Sequence, residues 1–165
     1  MADASSVRVS DSPTSLPSPT GRAASGIRFY QKELNLCTGT QWSPLGRVRI
    51  VVPIQAAAEG IDQNVFIADQ AYQLISVAEV HSVAGGAGAT AAIMKCTGTQ
   101  AASAGVNMLT AAFDLTTTAN TNVSGTLSAT AANTALAVGD RINIDFSGTI
   151  TPLAGSVVVV TLRAV

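Results

Sequence analysis

Residues 71–165 run as short Val/Ile/Thr/Ala segments broken by Gly, Asn and Asp, and that pattern confines this part of the chain to an all-β fold. Segments 72–83, 89–96, 141–146 and 157–162 carry strand formers, and Ala/Thr/Ser/Gly spacers without helical periodicity separate them. In 72–83, Tyr72, Leu74, Ser76 and Ala78 fall on one face and Gln73, Ile75, Val77, Glu79 and His81 on the other. Neither face is purely polar, so this strand is expected to be covered on both sides over part of its length. Gly139-Asp140 feeds a two-residue period with Ile142, Ile144 and Phe146 inward. Shorter strands are read at 47–54, 65–68, 113–115 and 124–130, with Pro53 limiting the first to an edge or a strand end. About eight strands suit a single antiparallel β-sandwich with jelly-roll-like or Greek-key wiring.

The 165 residues suffice for one domain. Charged residues are only 12% of the chain, apolar residues 47%, and aromatics number seven. The core is therefore built from small aliphatic side chains, and a surface this poor in charge is expected to be covered by copies of itself or by a partner. A formal net charge of −1 argues against a general nucleic-acid binder. No stretch is long enough to span a bilayer, and no signal peptide is expected at the N-terminus, where Arg8 and Asp11 interrupt the run and Pro13, Pro17 and Pro19 follow. Cys37 and Cys96 could pair, but without an export signal two cysteines are more often reduced and buried. The pentapeptide Cys37-Thr38-Gly39-Thr40-Gln41 recurs at 96–100 with unmatched flanks, which argues against a duplicated domain.

Charge is unevenly distributed. Residues 1–49 carry six basic and three acidic side chains, a net +3, and the remainder carries three basic and seven acidic, a net −4. That asymmetry reads either as docking onto an acidic surface or as a solvated tail. Residues 1–26, rich in Ser and Pro, cannot offset their ordering entropy by burial, and form an extended or flexible N-terminal arm. The sandwich domain is assigned to 27–165, with 27–64 as a peripheral strand or anchor segment. Phe29, Tyr30 and Trp42 concentrate aromatics there, as interface anchors or as a first core strand. The candidate partner-binding residues are Arg8, Arg22, Arg28, Phe29, Tyr30, Lys32 and Trp42.

Catalytic chemistry has little to work with. His81 is the sole histidine, so one nucleophile–base pair at most is possible. Glu79 and His81 offer two metal ligands, short of the three or four of a zinc site. His81 is expected to be a satisfied or exposed strand residue. Asp140 lies at a turn and is expected to pair with Arg141 at a strand start, Asp145 is expected to alternate outward, and Asp114 stands alone after Phe113. Gly85-Gly86-Ala87-Gly88 lacks the Lys-Ser/Thr ending and the helix of a phosphate loop. The run Arg28-Phe29-Tyr30-Gln31-Lys32 is too short for a nucleic-acid stacking platform. No enzyme activity, metal or cofactor is expected.

Several C-terminal segments carry a family resemblance: Glu79-Val80-His81-Ser82, Lys95-Cys96-Thr97-Gly98-Thr99-Gln100, Phe113-Asp114-Leu115, Thr118-Ala119-Asn120-Thr121, Ser124-Gly125-Thr126-Leu127, and Ala137-Val138-Gly139-Asp140-Arg141 through Asp145-Phe146-Ser147-Gly148-Thr149. The likeness covers roughly residues 65–165, which resemble virion structural proteins of tailed bacteriophages, most of all head decoration (cement) proteins. These are turn and strand features, not catalytic signatures, and residues 1–64 show no such likeness. The resemblance implies a homotrimer on the outer surface of the head, assembled in the host cytoplasm, whose arm clamps neighbouring copies of the major capsid protein. The alternative is a receptor- or glycan-binding tail-fibre or adhesin module, with Trp42, Tyr72 or the loop 85–88 in a recognition pocket.

Overall fold

The computed structural model describes residues 27–30, 33–37, 42–54 and 62–165, with side chains described from residue 46 onward. The expected arm, 1–26, lies outside the described residues. Two compact units divide between Arg47 and Val48. The N-terminal unit contains a three-stranded antiparallel sheet of β1 (Ile27–Tyr30), β2 (Glu33–Cys37) and β3 (Trp42–Leu45), in that order. Pro44 donates no hydrogen bond and is accommodated because β3 is an edge strand.

The second unit is a β-sandwich. One sheet has the order β10 (Val123–Ser124), β6 (Tyr72–Val80), β13 (Ser156–Ala164), β4 (Arg47–Ile54), with β11 (Ala135–Leu136) also on β6. The other has the order β5 (Gln63–Ile67), β12 (Arg141–Ser147), β7 (Thr90–Cys96), β8 (Val106–Asn107), with β9 (Phe113–Asp114) also on β7. The wiring is that of a long hairpin wrapped into two sheets. β4 pairs with β13, β5 with β12, β6 with β10 and β11, and β7 with β8 and β9, while successive strands from β4 to β7 change sheet. This is the jelly roll expected from the sequence. Two of its eight positions are filled by split strands of two residues each, so the 124–130 expectation shortens to Val123–Ser124, and a one-turn helix α1 (Ala131–Thr134) follows.

One hydrophobic cluster joins the sheets. Leu74 and Val77 of β6 and Val158, Val160 and Leu162 of β13 meet Ile93 of β7 and Ile142 and Ile144 of β12. Each buried Leu or Ile contributes about 1.5–3 kcal/mol. Aromatics are few inside, as composition requires: Phe66 and Tyr72 meet edge to face at 5.4 Å, and Phe113 and Phe146 complete the cluster. Gly148, at φ +71°, closes the loop after β12 so tightly that a Cβ there would lie 2.1 Å from the Gly88 carbonyl oxygen.

β6 departs from simple alternation. Thr161 and Leu162 of β13 face Ser76 and Leu74, which leaves Ile75 as an extra, bulged residue. The bulge reverses the parity of the strand, so Tyr72 and Leu74 are buried before it and Val77, Glu79 and His81 after it. The two faces read from the sequence are thus each buried over half the strand. β5 bulges likewise at Val65, between the pairs Phe66–Ile142 and Asn64–Asn143.

Candidate functional site

The strand register brings four of the sequence-derived partner-binding residues into one sheet. Arg28, Phe29 and Tyr30 lie on β1 opposite Asn35, Leu34 and Glu33, and Trp42 opens β3 opposite Cys37. Arg8, Arg22 and Lys32 lie outside the described residues. Following on from this segment, β4 alternates exposed Arg47, Arg49, Val51 and Pro53 with half-buried Val48, Ile50 and Val52. The basic character of the N-terminal region therefore extends along the outer face of a sandwich edge strand.

The histidine is enclosed. His81 is 0% exposed and Glu79 1%. His81 Nδ1 lies 3.0 Å from Glu79 Oε1, and Nε2 lies 3.1 Å from the Thr117 carbonyl oxygen. A carbonyl oxygen can only accept, so Nε2 carries a hydrogen and the contact between Nδ1 and Oε1 holds one further proton. Ser156 Oγ donates to the same Glu79 oxygen at 3.1 Å, and the Asn120 amide donates to the His81 carbonyl at 2.6 Å. These bonds tie the end of β6 to the start of β13 and to the loop at 117–120. With both ring nitrogens engaged and no solvent access, the cluster is a structural tie closed to any substrate.

Other acids are occupied by turns. Asp114 Oδ1 accepts from the Thr116 hydroxyl at 2.7 Å and amide at 2.9 Å, and these bonds hold its carboxyl below the ordinary value of 3.8. The expected Asp140–Arg141 ion pair is not formed. Asp140 folds back to accept from the Ala137 amide at 2.9 Å, and alternation sends Arg141 to the outer sheet face. There its guanidinium donates to the carbonyls of Gly98 (3.1 Å) and Gln100 (2.7 Å) and to Asn64 Oδ1 (3.4 Å). Cys96 is buried and free of disulfide, with its thiol pushed up by burial.

Residues of the receptor-binding alternative are also committed internally. Tyr72 is 4% exposed, and its hydroxyl donates to Asp69 Oδ1 at 2.7 Å and accepts from Gln70 Nε2 at 3.1 Å. The bond to Asp69 raises its phenol. In the loop 85–88, the Gly85 and Gly86 amides donate to the carbonyls of Leu115 (2.8 Å) and Thr149 (2.7 Å).

One arrangement escaped the sequence reading. Asp145 lies on the outer face of the β5–β12–β7–β8 sheet, and Asp62, just before β5, acts on its carboxyl. Asp62 Oδ1 also accepts from the Phe146 amide at 3.4 Å. Partial burial, then the charge of Asp62 and the bond to it, raises Asp145 above the ordinary 3.8. Asn143 shares that face, two residues away on β12. It is 3% exposed, and its Oδ1 has no hydrogen-bond partner. Asp62 and Asp145 are 83 positions apart, and only the β5–β12 pairing joins them, so no spacing rule could have found them. Among the described residues, no three His, Cys, Asp or Glu side chains converge as metal ligands, and no helix is long and apolar enough to cross a membrane.

Comparison with protein-family models, with curated proteins and with solved structures finds no match to this chain.

Proposed function

We propose that this protein is a capsid decoration protein of a tailed bacteriophage. It acts by binding in many copies to the outer head surface and clamping neighbouring capsomers. The observation that carries this reading is the pairing of a jelly-roll body, an architecture recurrent in viral capsid and lectin domains, with a separate N-terminal β unit rich in basic and aromatic residues. The link from fold to role is analogy. The chemistry of the body is consistent with it, because its one histidine is sealed in the core and Asp114 and Asp140 serve turns. Such a molecule works by surface complementarity. Modest contacts repeated around a closed lattice add up through symmetry and multivalency, and the basic segment supplies the attraction to an acidic capsid surface.

Two measurements test the proposal. Quantitative densitometry of virions carrying the chain should give hundreds of copies per particle, as a lattice-covering role requires; a handful per particle would point to a tail position. A protein lacking residues 1–26 should keep its β-sheet circular dichroism and lose attachment to heads. Undiminished head binding by that truncation would refute the clamp.

A further inference from the structure

The sandwich carries opposite charge on its two outer faces. In β13, Val158, Val160 and Leu162 point into the core, so Val157, Val159, Thr161 and Arg163 point out. β4 adds exposed Arg47, Arg49 and Val51 to the same face. Among its described residues this face holds arginines and no outward acid. On the other sheet, Asp145 of β12 lies opposite Ala92 of β7, and Asp114 of β9 lies opposite Thr90 of the same strand. Phe113 is in the core, so its neighbour Asp114 points out with Asp145. Asp62 accepts from the Phe146 amide and continues the line beyond β12. Acids therefore cross this sheet in a row, over strands about 4.8 Å apart. Arg141 shares the face, with its guanidinium turned onto the Gly98 and Gln100 carbonyls.

Each face also has a charged half and an apolar half, at opposite ends. Arg163 pairs with Gln73, at the end where β6 begins, and β4, antiparallel to β13, opens there with Arg47 and Arg49. Val51, 57% exposed, and Val157, paired with Val80, lie toward the other end. On the acidic face the order is reversed. Ile67, 67% exposed, lies opposite Arg141 at the end where β6 begins, and the acids lie at the far end, near Ser147 and Thr90. We infer that these faces dock copy to copy, head to tail, with the basic face of one sandwich on the acidic face of the next and the strands reversed. That orientation sets the arginines over the acids and Val51, Val157 and Val159 over Ile67. Copies running the same way would set arginines over Ile67 and acids over valines. A face of four strands about 4.8 Å apart and about eight residues long at about 3.3 Å each covers about 500 Å² in projection, below the about 800 Å² per partner of a stable complex. A single contact is therefore weak, and sensitive to salt because charge leads it. Each copy keeps one face open, so the contact builds rings or rows. The inference does not rest on the proposed role on a virion.

The test is sedimentation velocity of the full-length chain from about 10 μM to about 1 mM, at about 0.05 M and about 0.5 M NaCl. The average mass is expected to rise with concentration at low salt and to fall back toward the monomer at high salt. Arg49→Glu and Asp145→Arg each reverse one face, and each alone should weaken self-association by about tenfold or more. Mixed in equal amounts they should form a one-to-one pair that grows no further. The two faces left matched are the basic face of the Asp145→Arg protein and the acidic face of the Arg49→Glu protein. Circular dichroism checks that each variant keeps its fold, and Ile67→Glu, on an exposed side chain, takes the place of Asp145→Arg if that variant fails to fold. A wild type that stays monomeric at the highest concentration would overturn the inference. So would association unchanged in both variants, which assigns it to another surface. A mixture of monomers would overturn it too, because like faces would then be pairing.

Discussion

Two polar clusters lie on opposite sheets of the sandwich and are satisfied in opposite ways. At the end of β6 and the start of β13, Glu79, His81 and Ser156 are buried and, Glu79 Oε2 excepted, find partners within the protein: an imidazole between a carboxylate and a backbone carbonyl, and a hydroxyl on the same carboxylate. On the other sheet, Asn143 and Asp145 of β12 lie on the outer face, where Asp62, just before β5, helps to raise the Asp145 carboxyl and the buried Asn143 Oδ1 has no partner. The first cluster is complementary, acid against base. The second places like groups together. A buried polar group is a structural tie where the fold supplies its partner and a cost to stability where it does not.

Breaking the inner cluster should have the largest effect. His81→Ala leaves Glu79 buried without its base and is expected to cost about 3–5 kcal/mol, read as a lower urea midpoint with an unchanged slope. A loss below about 1 kcal/mol would mean that the pair is not sealed from water. Gly148→Ala should come next, at about 1–3 kcal/mol from the left-handed backbone alone, with the added clash against Gly88 making the upper end the expectation. Asn143→Leu sharpens the contrast on the outer face. Removing an unpartnered buried amide oxygen should leave the protein equally stable or better by about 1 kcal/mol, whereas Ser156→Ala in the inner cluster should lose about 1 kcal/mol. A clear loss for Asn143→Leu would show that its amide is bonded after all.

The smallest effect is the pH dependence, and the carboxyl groups of Asp145 and Asp114 contribute with opposite signs. Asp145 has a folded-state value raised above 3.8, so the native state holds its proton more tightly than the unfolded chain does. Its contribution to stability is present below the ordinary value and is lost as pH rises through the raised one. Asp114 has a lowered value, so its contribution is present above 3.8 and is lost as pH falls through the lowered one. Between pH 3 and 7, Asp145→Asn should therefore flatten a loss of stability with rising pH, and Asp114→Asn should flatten a gain. Urea midpoints across that range check both. Identical pH profiles for the two variants would remove the distinction between a carboxyl pair and a turn cap.

Much of the fold was legible in the residues. The strands over 72–80, 90–96, 141–147 and 156–164 follow from β-branched runs between turn residues, and the inward trio Ile142, Ile144 and Phe146 follows from strict alternation. Where local chemistry was enough, the reading held: Pro53 lies in an edge strand. It failed for Asp140 and Arg141, which are neighbours in sequence and diverge in space because alternation sends them to different surroundings. The basic and aromatic residues of the N-terminal region were visible as a composition, and what they touch is not a property of composition.

What the chain determined by itself is its class: a two-residue apolar period, frequent turn residues and few reactive side chains leave an antiparallel sandwich as the way to bury a small aliphatic core. The tertiary structure alone decided which polar groups meet. Two bulges, at Ile75 and Val65, shift parity and register, and a shift of one residue moves every following side chain to the other face. That is why His81 ended inside a closed tie. Asp62 met Asp145 for a related reason: contacts between distant strands are set by register and are not written in any local segment.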